Sequence, residues 1–275
     1  MPSAMRHRTR IAVVALVLFL LAGVASEGAA RARDCRSGTA SEGVVRAVLD
    51  GRTLALADGG VVRLAGIEVP GPSQDAADAA KPQAKARVYL EAQLVGRTVA
   101  LVTQSAAIDR YERVRAYVFL QSDGLEASVQ HAMVGLGLAR VAGSVGDRAC
   151  AAGLFAREQS ARTAKLGLWA DPAYAVQSAD DPAAVLRLRG KLALVEGRVL
   201  SVRESGGTIY VNFGRRWSED FTVTVPKRSE RAFTAAGMNI KELARRTVRV
   251  RGWIEERGGP WIEVRLPEQI EVVRN

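Results

Sequence analysis

The chain has 275 residues, 48% of them hydrophobic and only 9 of them proline, which excludes a disordered or low-complexity polymer. Its length suits two domains better than one. The formal charge of +10 is unevenly spread: residues 33–186 hold 17 Lys+Arg against 17 Asp+Glu, whereas residues 187–275 hold 18 against 11, a net of +7. A basic final third fits a polyanion such as nucleic acid or an anionic envelope polymer; it equally fits a solvated positive face without a partner.

Residues 1–32 read as a secretory signal peptide. Arg6, Arg8 and Arg10 precede the apolar run Ile11 to Val24, and Ala30-Arg31-Ala32 offers a small-x-small cleavage site. The run is short of the roughly 20 residues that a membrane span needs, so an uncleaved anchor is the weaker reading. No stable membrane span is expected after cleavage, and the mature chain is expected to be exported, periplasmic or secreted. Two cysteines then remain, Cys35 and Cys150. An even count in an exported chain suggests a disulfide, with two unpaired buried thiols as the alternative. Their spacing and the lack of nearby histidines exclude a zinc site.

In chain order, residues 33–42 read as a loose polar lead-in. Val44 to Leu49, Thr53 to Ala57 and Val61 to Ile67 read as three strands. After Pro70-Gly71-Pro72 an alanine-rich helix is expected from Asp75 to Leu94, with Ser73 as N-cap, Pro82 forcing a late start or a kink, and Gly96 as its stop. Thr98 to Thr103 and Val114 to Gln121 add two strands. Helices are expected at Ala127 to Leu136, ended by Gly135-Leu136-Gly137, and at Arg148 to Leu166, closed by Gly167 and anchored by Trp169. His131 reads as a packing residue. Asp171 to Pro182, with its prolines, acids and small residues, reads as the domain boundary, which gives domains at 33–172 and 187–275.

The final third is again strand-rich: Leu192 to Arg203, Thr208 to Phe213, Phe221 to Val225, Thr247 to Glu256, Trp261 to Val264 and Ile270 to Val273, with a short helix at Ser229 to Ala236. This order suggests a second, smaller OB-like β-barrel. Tyr210, Phe213, Trp217, Phe221, Trp253 and Trp261 are interleaved with Arg215, Arg216, Arg249 and Arg251. That mixture suits stacking of single-stranded nucleic acid, although a small barrel needs about half of such rings as core.

The chemistry concentrates in Leu49 to Gly71, LDGRTLALADGGVVRLAGIEVPG, and Asp109 to Phe119, DRYERVRAYVF. Asp58-Gly59-Gly60 between two β-type runs signals a hairpin, with Asp50 and Glu68 at its far end and Arg63 on its second strand. Arg113 opens another strand. Two arginines and two acids on adjacent strands make a clamp for phosphate, since arginine meets phosphate oxygens two at a time and acids hold a cation beside it.

The order DGxT, RLxGIxxP, DRYxRxxAYV, GLARV and GLW, over Gly43 to Trp169, resembles the staphylococcal-type thermonuclease family. The resemblance implies a mainly β fold with helices, a five-stranded OB-type barrel, and cleavage of DNA and RNA with one calcium ion. It assigns Arg63 and Arg113 to transition-state phosphate and sets Glu68 where the family has an aspartate ligand to calcium; Asp50 is a second, weak candidate for calcium, and Arg110 and Tyr111 are candidate substrate-binding residues. Two positions depart from the pattern. Arg52 stands where the second calcium-binding aspartate belongs, and Gly71 where the glutamate proposed as general base belongs. A unit positive charge about 4 Å from a dication costs roughly 8 kcal/mol at an effective dielectric near 20. A lost general base costs about 10²- to 10⁴-fold in rate. Asp75 and Asp78 are candidate substitute carboxylates. Three readings follow: a nucleic-acid-binding protein on a degenerate nuclease site, an active nuclease, and a non-catalytic envelope interaction protein.

Overall fold

The computed structural model describes residues 35–71, 80–122, 125–145 and 148–273. The expected signal peptide, the Ser73 cap, the first residues of the alanine-rich helix, and Asp75 and Asp78 lie outside the described residues. The protein is mainly β with helices, and it holds two barrels. Strands β1 (Thr39–Asp50), β2 (Thr53–Leu56), β3 (Val61–Leu64), β5 (Thr98–Ile108) and β6 (Val114–Ser122) build the first, with the short strands β4 (Ile67–Glu68), β7 (Leu125–Ser128) and β8 (Arg140–Val141) beside it. Helices α1 (Ala80–Leu94), α2 (Val129–Gly135) and α3 (Arg148–Thr163) complete this half.

Strand β1 is longer than the sequence suggests. Thr39–Val44, partly assigned to a loose lead-in, pair with Thr98–Thr103 of β5, and Val45–Asp50 pair with β2. One bent strand therefore serves two neighbours. The β2–β3 hairpin turns at Asp58-Gly59, where Gly59 has φ +91° and the Asp58 carboxylate accepts from Gly60 N at 2.9 Å. The barrel closes by parallel pairing of β3 with β6, Val62 beside Val114 and Arg63 beside Arg115. Between the β3 and β7 pairings on β6, the buried Gln130 of α2 donates to Ala116 O at 2.9 Å and accepts from Val118 N at 3.1 Å. One side chain thus meets a backbone N–H and a C=O that would otherwise carry a desolvation cost.

Described residues of the alanine-rich helix begin at Ala80, with Pro82 third. Helix α2 starts at Val129 and not at Ala127, and Ser128 is its N-cap, whose hydroxyl accepts from His131 N. After α2 and α3 the chain returns so closely that a Cβ on Gly137 would lie 2.2 Å from Leu166 O, and one on Gly167 2.3 Å from Gly137 O. Both glycines have positive φ, which explains the two glycine stops in the sequence. The predicted disulfide is present: Cys35 joins Cys150 of α3, across 115 residues of chain.

The second barrel uses β10 (Leu192–Arg198), β11 (Ser201–Ser205), β12 (Thr208–Asn212), β13 (Thr222–Pro226), β14 (Thr247–Trp253), β15 (Glu255–Arg257), β16 (Gly259–Glu263) and β17 (Ile270–Val272). The long strands expected at Leu192 to Arg203 and Thr247 to Glu256 are each broken in two. Strands β11, β12 and β13 form a meander, β13 pairs parallel with β16, and β14 pairs with β10. A parallel closing pair and a helix, α5 (Glu230–Ala235), before β14 repeat the connectivity of the first barrel. The end of the stretch read as a boundary is built into this half, while Tyr174 near its start lies against Arg140 of the first. Strand β9 (Gln177–Ser178) adds parallel to β10, and α4 (Pro182–Leu186) follows it.

Each barrel has its own core, one around Leu90, Val99, Tyr117, Phe119 and Leu154, the other around Phe213, Phe221, Val223, Phe233 and Val250. Phe213 and Phe221, counted among the candidate stacking rings, thus serve packing, with centroids 5.0 Å apart. Arg249 and Arg251 are not surface cations either. Arg251, 1% exposed, crosses to the first half, where it donates to Val141 O (3.1 Å) and to both oxygens of Glu158 (3.3 and 2.8 Å), and on its own side to Glu271. Arg249 bonds Glu196 and Glu271, and Arg162 of α3 joins the same cluster. Trp169 and Ala161 pack on Leu194 beside it.

Candidate functional site: a cationic cleft between the barrels

Arg52 follows the β1–β2 turn. The turn is held by Asp50, whose carboxylate accepts from Arg52 N (2.8 Å) and Thr53 Oγ1 (2.9 Å), and by Gln83 of α1, which accepts from Gly51 N (2.8 Å). So fixed, the Arg52 guanidinium donates to Ile67 O at 3.1 Å and forms an ion pair with Glu68. Both side chains are only 15% exposed. Burial pushes the Glu68 carboxyl up, and the charge and hydrogen bond of Arg52 oppose that. An internal cation thus sits on the carboxylate to which the family resemblance assigns calcium.

The donor set does not fit calcium, which takes six to eight oxygen ligands. Glu68 is bound by a guanidinium, both Asp50 oxygens serve the turn, and position 71 carries no side chain. Among the described residues, no group of three His, Cys, Asp or Glu side chains lies close enough to hold a metal ion.

The β2–β3 register sets Arg63 beside Thr53, and the parallel closure brings it near the start of β6. Among the described residues Arg63 has no hydrogen-bond or ion-pair partner, although it is only partly exposed. Burial, then Arg52, then Arg113 lower its pKa. Glu68 and Asp50 pull the other way, but neither bonds the guanidinium among the described residues, which leaves its donors open to an anion. Arg113 is committed differently. Its Nε donates to Asp109 at 2.9 Å and its terminal nitrogen lies 2.8 Å from the same carboxylate. Burial works against the charge on Asp109, but the Arg113 hydrogen bond and the backbone amides of Tyr111 and Arg113 win, and its pKa falls to about 2. Arg110 and Arg113 each lie 4.8 Å from the Tyr111 ring centroid, and Arg110 also donates to the phenol oxygen at 2.7 Å. Exposed Arg110 and Tyr111 and part-buried Arg113 form one cluster outside the walls of the cleft described next. The two predicted arginines differ in state: Arg63 has no bonded partner among the described residues, and Arg113 is paired with Asp109.

Asp50, Arg52, Arg63 and Glu68 line a cleft of about 900 Å³ whose opposite wall is Arg187 to Ala193 and Trp253 of the second half. Six cationic residues line it (Arg52, Arg63, Arg140, Arg187, Arg189 and Lys191) against three acids (Asp50, Glu68 and Asp171), a net of +3. Arg140 lies opposite Glu68 in the β4–β8 pair. It is 5% exposed, its Nε has no hydrogen-bond partner, and burial lowers its pKa against the pull of Glu158 and Glu68. Sequence reading passed over Arg140, although it sits in the GLARV motif, and passed over the LRLRGK run at Leu186–Lys191. Neither carries a signal of its own, because only the packing of the barrels turns these residues toward the site.

No curated protein is significantly similar to the chain. Residues 61–171 match the family model described as staphylococcal nuclease homologue. That stretch supplies β3 with Arg63, the Glu68–Arg140 strand pair and the helices behind them, while the second barrel lies outside it. The first half of this chain therefore carries a staphylococcal nuclease-like domain.

Proposed function

We propose that this is an exported phosphodiester-binding protein, built on a nuclease-like domain, in which the cleft around Arg63 holds a nucleic-acid phosphate and calcium-dependent cleavage has been lost. The reading rests on one observation above others: the Arg52–Glu68 ion pair puts a side-chain cation where a metal would be needed, and leaves Arg63 beside it without a partner. The net charge of the lining supports an anionic ligand. The signal-like first 32 residues and the Cys35–Cys150 bridge support export.

With no base at position 71 and no metal-binding set among the described residues, the cleft retains groups that neutralise phosphate, and among the described residues it offers none that activate water. Titration calorimetry with thymidine 5′-monophosphate in chelator tests this. Arg63→Ala should weaken binding about 10- to 150-fold, the value of one charge-assisted contact. Binding that is unchanged in Arg63→Ala would refute the role given to this cleft.

A further inference from the structure

The outer face of the β11–β12–β13–β16 sheet carries a second site that the cleft does not use. Strand alternation places Ser201, Asn212, Thr222 and Trp261 in one cross-strand row, and Arg203 and Tyr210 in the next. The opposite face, with Ile209, Val211, Val223 and Ile262, fills the core. With Arg215 and Trp217 from the β12–β13 loop, this outer face walls a groove of about 640 Å³, a volume suited to one or two nucleotides.

Two features of the groove are unexplained by folding. Trp217 is 72% exposed, a large apolar ring left in water. The hydroxyl of Thr222, a residue only 2% exposed, and the indole N–H of Trp261 are both buried without a hydrogen-bond partner. Both atoms are closed to solvent, so the groups that the groove offers a ligand are the partly exposed Ser201, Tyr210 and Asn212 beside Trp217. Tyr210 packs edge-on to Trp261, centroids 6.1 Å apart, and this fixes the ring that presents the indole.

Charge identifies the ligand. Arg203 and Arg215 line the groove, are exposed, and have no ion-pair partner among the described residues, and no lining residue is acidic. A neutral sugar gains little from unpaired cations, whereas a nucleotide brings a planar ring for Trp217, polar edges for Ser201 and Asn212, and a phosphate for each arginine. We infer that this groove binds single-stranded nucleic acid, independently of the Arg63 cleft.

The test uses the full chain and a 5′-fluorescein dT₁₀ oligonucleotide followed by anisotropy in chelator. Trp217→Ala should weaken binding about 5- to 150-fold, the range of one base–aromatic stack. Arg203→Ala with Arg215→Ala should reduce the slope of log K against log salt by about 0.7 per arginine. Asn212→Ala, which removes a partly exposed amide from the wall, should weaken binding about 2- to 10-fold. A Trp217→Ala protein that binds the oligonucleotide as wild type does would overturn the inference. Arg63→Ala distinguishes the two sites. Loss in Arg63→Ala but not in Trp217→Ala refutes the groove and leaves the cleft standing. Loss in Trp217→Ala with an unchanged Arg63→Ala supports the groove.

Discussion

Arg251→Met tests whether the cleft is a fixed feature of the molecule. The substitution keeps an unbranched stem of similar length but removes a guanidinium that is 1% exposed and that bonds Val141 O, Glu158 and Glu271. Glu158 would keep its acceptance from Val141 N (2.8 Å) and a longer contact to Arg162 (3.4 Å), and would otherwise be a carboxylate in the interior without its main partner. Breaking a buried pair in this one-sided way costs about 3–5 kcal/mol. A domain is stable by about 5–15 kcal/mol, so a loss of that size is large. Urea unfolding should therefore show a matching fall in stability. Adding Glu158→Gln should recover part of it, since glutamine keeps the acceptor for Val141 N without the charge. If Arg251→Met costs less than about 1 kcal/mol, the buried network does not hold the barrels together and the cleft has no fixed second wall.

The remaining predictions concern single groups. The Asp109 carboxyl, held at about 2 from an ordinary 3.8, contributes stability that is complete above pH 4 and lost as pH falls toward 2. An NMR titration of its side-chain carbon should find the midpoint near 2, and a midpoint near 4 would mean that the Arg113 pair does not form in solution. Opening the Cys35–Cys150 bridge frees a loop of more than 100 residues, and urea melts with and without reductant should differ by up to about 4.7 kcal/mol; coincident melts would contradict its role. Arg140→Met should weaken thymidine 5′-monophosphate binding while leaving the dT₁₀ affinity set by the groove in place, as calorimetry and anisotropy can show separately.

Much of the first barrel is legible in the sequence because local signals agree there. The Asp58-Gly59 turn, alternation in β3 and β6, and the glycines at 137 and 167 each state a backbone requirement in a few residues. The start of β1 is not legible, since Thr39–Gly43 is polar and becomes a strand only by pairing with β5. The site divides in the same way. Arg52, Arg63 and Glu68 stand out by position in a motif, but nothing in the sequence says that Arg52 turns onto Glu68 or that Arg113 turns onto Asp109. The buried fates of Arg251 and Phe213, and the placing of Trp253 in the cleft, depend on contacts between distant segments that no local pattern encodes.

The central claim is that the Arg52 guanidinium has taken the place of a metal ion, and cleavage of single-stranded DNA in calcium and in chelator tests it most directly. Wild type is set beside an Arg52→Asp, Gly71→Glu double variant. Wild type should show no calcium-dependent cleavage, and the double variant should acquire it, because Glu68 is released and two carboxylates are restored. Calcium-dependent cutting by wild type would contradict the claim and would mean that other carboxylates, Asp75 or Asp78 among them, complete a metal site beside Arg63.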